Sequence, residues 1–266
     1  MGTAYKSVET LLHARQPDKS VYCIYPHVYR EAARHFVANF PGRVLYAVKA
    51  NNHPLVIQAL GNAGVEHFDC ASLQEIELVK SLFPDATCYL MNPVRLAGDA
   101  SRSQRDFGTR HFMIDHRSGL GPLLAEIDAE CSVVFARMAV SHHSAMADLS
   151  SKFGALPDDV PALLRDIRDA GAEAALAFNV GTGVTEPEAY TYAMGLAREV
   201  LENTPFPVRL LDIGGGFPRP YPGFIVPPLD EFFAAIEGIR HELPLGADSE
   251  LMAEPGRGLS APGMST

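Results

Sequence analysis

Along the chain, short runs of aliphatic, aromatic and β-branched residues alternate with longer stretches in which apolar positions recur at helical spacing. The runs that read as strands are Arg43–Ala50, Glu66–Ala71, Ala86–Pro93, His111–Asp115, Ser132–Val140, Ala174–Val180, Val208–Gly214 and Glu250–Glu254. Most are apolar at every position rather than at alternate ones, the pattern of parallel strands covered on both faces. Between them, Pro54–Ala63 carries Leu55, Val56, Ala59 and Leu60 on one face, and Gly64 stands where that helix should stop. Ser72 with Glu75 predicts a capping box opening a helix over Leu73–Phe83. Thr185 with Glu188 predicts another for Glu186–Glu202, with Pro187 in its first turn. Val160, Leu163, Leu164 and Ile167 fall at helical spacing up to Gly171, and Leu229–Leu243 is a last amphipathic helix. The polar stretch Leu96–Thr109 has the weakest pattern.

Eight strands with intervening helices predict a (β/α)8 TIM barrel of the α/β class. A doubly wound open sheet is the alternative, because alternation alone does not prove closure. A further strand-like run, Val21–Tyr25, and a helix, Val28–Phe40, precede the first barrel strand. With no Ser/Gly linker and no internal repeat, the expected organisation is an N-terminal segment, 1–27, carrying one strand, and a barrel over 28–266.

Composition narrows the class. The 266 residues are 47% hydrophobic and 20% charged, ordinary for a soluble domain. The net charge of −10 argues against a nucleic-acid partner while leaving room for a local basic pocket. No apolar run reaches bilayer-spanning length, and Met1–Lys19 lacks a signal-peptide core, so the expectation is a cytoplasmic protein without a membrane partner. Cys23, Cys70, Cys88 and Cys131 match neither a zinc site nor a small disulfide framework and read as reduced, mostly buried thiols. The pair His142-His143 invites a metal reading. Adjacent strand residues point to opposite faces, however, and no third ligand is suitably spaced, so a loop or strand-end position is expected and no metal.

In such a barrel the chemistry sits at the C-terminal strand ends, where the sequence places Lys49, Asp69, Asn92, Asp115, Arg137, Asn179, Gly214–Gly216, Glu254 and Arg257. A lysine directly after Leu45-Tyr46-Ala47-Val48 either snorkels or pairs with a carboxylate, or is an amine tuned to form a Schiff base. Three glycines after a late strand suit either a tight turn or a phosphate cradled by successive amides. Gly181-Thr182-Gly183 adds a hydroxyl and more amides. Glu254 can pair with a protonated ring nitrogen, or simply with Arg257.

Five segments occur together and in a fixed order: Tyr46-Ala47-Val48-Lys49-Ala50-Asn51, Phe68-Asp69-Cys70-Ala71-Ser72, Ser151-Lys152-Phe153-Gly154, Leu211–Phe217 and Glu254-Pro255-Gly256-Arg257. In this the chain resembles the ornithine/diaminopimelate/arginine decarboxylase family, fold-type III pyridoxal-phosphate enzymes on an alanine-racemase-like barrel, over roughly residues 21–258. The resemblance implies pyridoxal 5′-phosphate as cofactor. It makes Lys49 the lysine of the internal aldimine, Glu254 the acid on the pyridine nitrogen, and Asp69 a carboxylate close to Lys49 and the cofactor. Arg137 matches an arginine near the cofactor. Gly216, Thr182 and Gly256-Arg257 match phosphate-binding positions, beside Gly214 and Gly215. Lys152 matches a lysine that in relatives makes contacts across the subunit interface.

Two departures stand out. The family has histidine where this chain has Asn179, and asparagine hydrogen-bonds but cannot stack on a ring. Family members also continue past the Glu254–Arg257 segment into a C-terminal β-domain, which completes the active sites of their dimers. Its absence here predicts a homodimer or a partner chain supplying that domain, and leaves Val21–Tyr25 as an exposed sheet edge. The implied activity is decarboxylation of a small basic amino acid, ornithine-type by the Val180-Gly181-Thr182-Gly183 segment, as in polyamine biosynthesis. The alternatives are a diaminopimelate decarboxylase, an amino-acid racemase, and a truncated cofactor-binding or regulatory homologue without turnover.

Overall fold

Eight parallel strands close into a barrel in the order in which they occur in the chain. This computed structural model describes residues 3–266 apart from 222, 224 and 247. Helix α1 (Val8–Arg15), strand β1 (Cys23–Ile24) and helix α2 (Pro26–Asn39) precede the barrel. There follow β2 (Arg43–Ala47), α3 (Pro54–Gly61), β3 (His67–Cys70), α4 (Leu73–Leu82), β4 (Thr87–Leu90), α5 (Asp99–Phe107), β5 (His111–Ile114) and α6 (Leu120–Leu124). The second half holds β6 (Val133–Met138), α7 (Val160–Asp169), β7 (Glu173–Phe178), α8 (Glu188–Glu202), β8 (Leu210–Asp212), α9 (Leu229–Arg240) and β9 (Glu250–Ala253). Helix α10 (Arg257–Ser260) and strand β10 (Met264–Ser265) come last.

Closure is made by β2 on β9, with Arg43 beside Met252 and Val44 beside Ala253, which excludes the open sheet. Because side chains alternate along a strand, each strand offers one face to the barrel axis and one to the helices. The axial face packs a compact cluster of Leu45, Tyr89, Met91, Met113, Phe135, Ala175, Ala177 and Met252. The other face joins the larger core beneath the helices. Two residues on from Phe135, Leu210 and Met252, the same axial face arrives at Arg137, Asp212 and Glu254. The apolar interior therefore hands over to charge at its C-terminal end.

Helix α2 belongs to the main core. Its Phe36, fully buried, meets Phe217 and Phe233 edge-on at 4.9 Å each. No residue of α1 is buried. Among the described residues, no helix is long and apolar enough to cross a membrane.

Several expectations change. Strand β2 ends at Ala47, and Val48–Ala50 forms a 3-10 turn, so Lys49 sits on a turn rather than within the strand. The Thr185–Glu188 capping box does not form, because Thr185 donates both its N–H and its hydroxyl to the Ser144 carbonyl, and α8 starts at Glu188. At α4, Ser72 caps the Glu75 N–H, but the Glu75 carboxylate accepts from Ala71 instead of Ser72. The polar stretch 96–109 contains α5, whose first turn is capped by a distant carboxylate: Glu126 accepts from the N–H groups of Gly98, Ala100 and Ser101.

The run Val21–Tyr25 is not a bare edge, since β1 pairs antiparallel with β10, Cys23 opposite Ser265 and Ile24 opposite Met264. Cys70 and Cys88 are buried, but Cys131 is exposed on the turn before β6. His142 and His143 stand on the loop after β6, which ends at Met138, as the loop placement expects; strand alternation therefore does not apply, and their rings lie 4.3 Å apart with Glu186 nearby.

Candidate active site

A cleft of about 710 Å3 opens at the C-terminal ends of the barrel strands. This lies within the range of roughly 300–1,000 Å3 usual for small-molecule sites. The 3-10 turn after β2 presents Lys49 to it, and the Lys49 Nζ donates to Asp69 Oδ2 at 2.7 Å. Asp69, at the end of β3, is wholly buried, whereas the Lys49 side chain keeps 53% of its surface, on the cleft side. The ion pair of the ordinary reading of Lys49 therefore exists, and it stands in the wall of a pocket. Burial alone would lower the Lys49 amine, but the charges of Asp69 and Glu254 outweigh it and hold the amine above the usual lysine value.

Three buried carboxylates converge below this amine, and among the described residues each has one oxygen without a hydrogen-bond donor: Asp69 Oδ1, Asp212 Oδ2 and Glu254 Oε1. Burial, reinforced by Asp69 and Asp212, pushes Glu254 well above the usual carboxylate range. Burial likewise raises Asp212 to about 7, against the bond its Oδ1 accepts from the Gly214 N–H at 2.8 Å. The fourth group is Arg137, lowered by burial and supported by Glu254 and Asp115. Its guanidinium lies 4.9 Å over the Phe153 ring.

The glycine segment after β8 builds a further wall, two strands from Lys49 in the closed barrel. Gly216 has φ +104, and a Cβ there would come within 2.8 Å of Val180 and 2.9 Å of the Gly181 carbonyl. A Cβ on Gly215 would meet the Glu254 carbonyl at 2.7 Å. Among the described residues, the N–H groups of Gly215 and Gly216 have no protein acceptor, which leaves them for a ligand. Gly214 differs. Its amide holds Asp212 and its carbonyl accepts from Glu254, so it supports the wall without lining the cleft.

Lys49, Arg137, Asn179, Thr182, Gly215, Gly216, Glu254, Gly256 and Arg257 all line the cleft, and Asp69 lies directly beneath Lys49. Arg257 makes no ion pair with Glu254 among the described residues. The Asn179 Oδ1 accepts from the Gly181 N–H at 2.9 Å, so this side chain shapes the turn. Lys152 points into a neighbouring pocket with Asp115 and Asp166. Sequence reading missed Asp212 and Phe153 as site residues. Both stand inside motifs already singled out, but only the fold shows that they touch the charged cluster.

Fold and cleft together define a (β/α)8 barrel protein with a cleft at the C-terminal strand ends, lined by Lys49. The chain belongs to the family described as pyridoxal-dependent decarboxylase, pyridoxal binding domain, which residues 27–261 match. It is 33% identical over 221 residues to a lysine/ornithine decarboxylase of Selenomonas ruminantium, covering 80% of this chain and 54% of that protein. It is 32% identical to antizyme inhibitor 2 of Xenopus laevis, covering 80% of this chain and 46% of that protein. The structure of a lysine/ornithine decarboxylase from Vibrio vulnificus complexed with putrescine superposes with a TM-score of 0.83 at 28% identity, covering 97% of this chain and 70% of that one. The chain thus spans about half the length of the curated relatives it matches.

Proposed function

We propose that this chain holds pyridoxal 5′-phosphate through Lys49, and that the protein it represents decarboxylates a basic amino acid of the ornithine or lysine type. The carrying observation is one cleft that joins a lysine amine, held by buried Asp69, to the orphaned Oε1 of Glu254. The residues fit the cofactor on two counts. A buried carboxylate oxygen without a donor suits a protonated ring nitrogen, and the free amides of Gly215 and Gly216, where a Cβ would clash, suit a phosphate. When bound, the cofactor supplies an electron sink for the electron pair left on the α-carbon as carbon dioxide departs.

The chain's own groups supply the rest. Lys49 must lose a proton before its Nζ can act as a nucleophile, and Asp69 and Glu254 both oppose that loss. Any proton taken up at Glu254 removes one of those two charges and eases deprotonation of Lys49. Arg137, fixed over Phe153, keeps a positive charge above the carboxylates. The choice of a basic substrate rests on the lysine/ornithine decarboxylases among the relatives. On this reading, further substrate contacts come from a second copy in a homodimer or from a partner chain supplying a β-domain. Asn179, committed to its turn and unable to stack on a ring, favours a second reading as a cofactor-binding homologue without turnover.

Purified protein with added pyridoxal phosphate should develop the visible absorbance band of a lysine-bound cofactor, and Lys49→Ala should not. An equal band in both proteins, or none in either, refutes the cofactor reading. A band without carbon dioxide release from ornithine, lysine or arginine supports the second reading instead.

A further inference from the structure

The loop leaving β6 carries a second constellation of chemistry-bearing side chains, independent of the cofactor. Three groups meet there. The His142 and His143 rings lie 4.3 Å apart at a tilt of 32°, and Glu186, just ahead of α8, brings Oε2 to 3.1 Å from His143 Nε2. One ligand atom from each of the three falls within 4.8 Å of the others. A tetrahedral site with bonds of about 2.1 Å needs ligand atoms about 3.4 Å apart. Side-chain rotations closing the gap by up to about 1.4 Å reach that value, and His143, 77% exposed, is free to make them. The His143–Glu186 pair alone does not explain why a second imidazole is brought alongside; two histidines beside a carboxylate are a ligand set.

His142 Nδ1 accepts from the Ser144 N–H at 3.3 Å and lies 2.8 Å from Ser144 Oγ; ligation through Nε2 moves the ring proton to Nδ1, which then donates to that hydroxyl in place of accepting the N–H. Two imidazoles and one carboxylate with an open fourth position suit Zn2+ and its neighbours rather than Mg2+ or Ca2+, which take oxygen ligands.

The three ligands come from two segments already laced together. Met146 donates to the Thr182 carbonyl at 3.0 Å, Thr182 to the Ala147 carbonyl at 3.0 Å, and Thr185 to the Ser144 carbonyl at 3.2 Å. Thr182 and Gly183 in turn line the cleft. We propose that His142, His143 and Glu186 bind one zinc-class divalent ion, which clips the 141–149 loop to the 181–186 segment at the rim of the cleft.

The test uses the full chain, free of any polyhistidine tag and stripped with a chelator, titrated with Co2+ as the optical probe. One equivalent should bind with the visible d–d bands of a low-coordinate nitrogen/oxygen site, and Zn2+ should displace it. His142→Ala and Glu186→Gln should each weaken binding by more than the roughly 10–100-fold that loss of an outer-shell partner costs. Ser144→Ala should weaken it by about tenfold. Circular dichroism confirms that the variants are folded. No saturable one-equivalent binding, or affinity unchanged in both ligand variants, overturns the site. Zn2+ should also slow amide hydrogen exchange at Met146, Thr182 and Thr185, and unchanged exchange with the ion bound overturns the clip.

Discussion

Replacing Asp212 by asparagine should flatten the fall of stability with rising pH that buried carboxylates impose on this barrel. Asp212 is wholly buried, with Oδ1 accepting the Gly214 N–H at 2.8 Å and Oδ2, among the described residues, without a donor. Burial raises it from 3.8 to about 7; the Gly214 bond opposes the rise, Asp69 adds to it, and Lys49 and a hydrogen bond with the Glu254 carboxyl oppose it further. The folded chain therefore keeps this proton to higher pH than the unfolded chain does. Between about pH 4 and 7 the folded state binds more protons, so the stabilisation present below 3.8 is lost as pH rises through about 7. At about 1.4 kcal/mol per tenfold in proton affinity, the loss is on the order of 4 kcal/mol. In Asp212→Asn the amide oxygen still offers an acceptor to Gly214, and the side chain has no proton to lose. His67 and His111, lowered by burial to about 4 and about 3, tilt stability the other way, but they do so in both proteins and cancel in the difference. Glu254 loses a like-charged neighbour in the variant, which adds to the difference with the same sign. The assay is equilibrium urea unfolding of the cofactor-free chain, followed by circular dichroism across this pH range. A wild-type minus variant difference that stays flat, or rises with pH, refutes the reasoning.

Three further outcomes are expected. Asp69→Asn removes the nearest charge that raises Lys49, so the pH midpoint for developing the cofactor band should move down; a spectrophotometric pH titration checks this, and an unmoved midpoint contradicts it. Gly216→Ala forces a side chain into a backbone with φ +104 and into contact with Val180, and should cost at least about 1–2 kcal/mol in thermal unfolding while weakening uptake of pyridoxal phosphate. Phe36→Ala empties the fully buried centre of an aromatic cluster with Phe217 and Phe233 and should cost about 3–5 kcal/mol in urea unfolding, well above any surface substitution on α1.

Much of the barrel was legible from the chain because parallel strands covered on both faces read as unbroken apolar runs. The position of Lys49, the glycine segment and Glu254 at strand ends follows from local pattern alone, whereas the order of the strands around a closed barrel does not. Local pattern fails where a partner lies far away in the chain. Nothing near 98–101 announces that Glu126 will cap α5, and nothing near Thr185 announces that Ser144 will draw its hydroxyl out of the capping box. Likewise Cys131, among thiols that read as mostly buried, ends on an exposed turn, because β6 begins at Val133.

The site divides along the same line. Strand alternation by itself places Arg137 on the same face as Phe135, and Glu254 on the same face as Met252. Which face looks along the barrel axis is decided only by closure of β2 on β9. That closure gathers Asp69, Arg137, Asp212 and Glu254 from four separate strand ends beneath Lys49. The residue types and their spacing were a property of the chain. Their shared burial, the mutual repulsion of the carboxylates and the resulting hold on the Lys49 proton arise only once distant strands are neighbours, since charge interaction depends on distance in space and on exclusion of water rather than on separation in sequence.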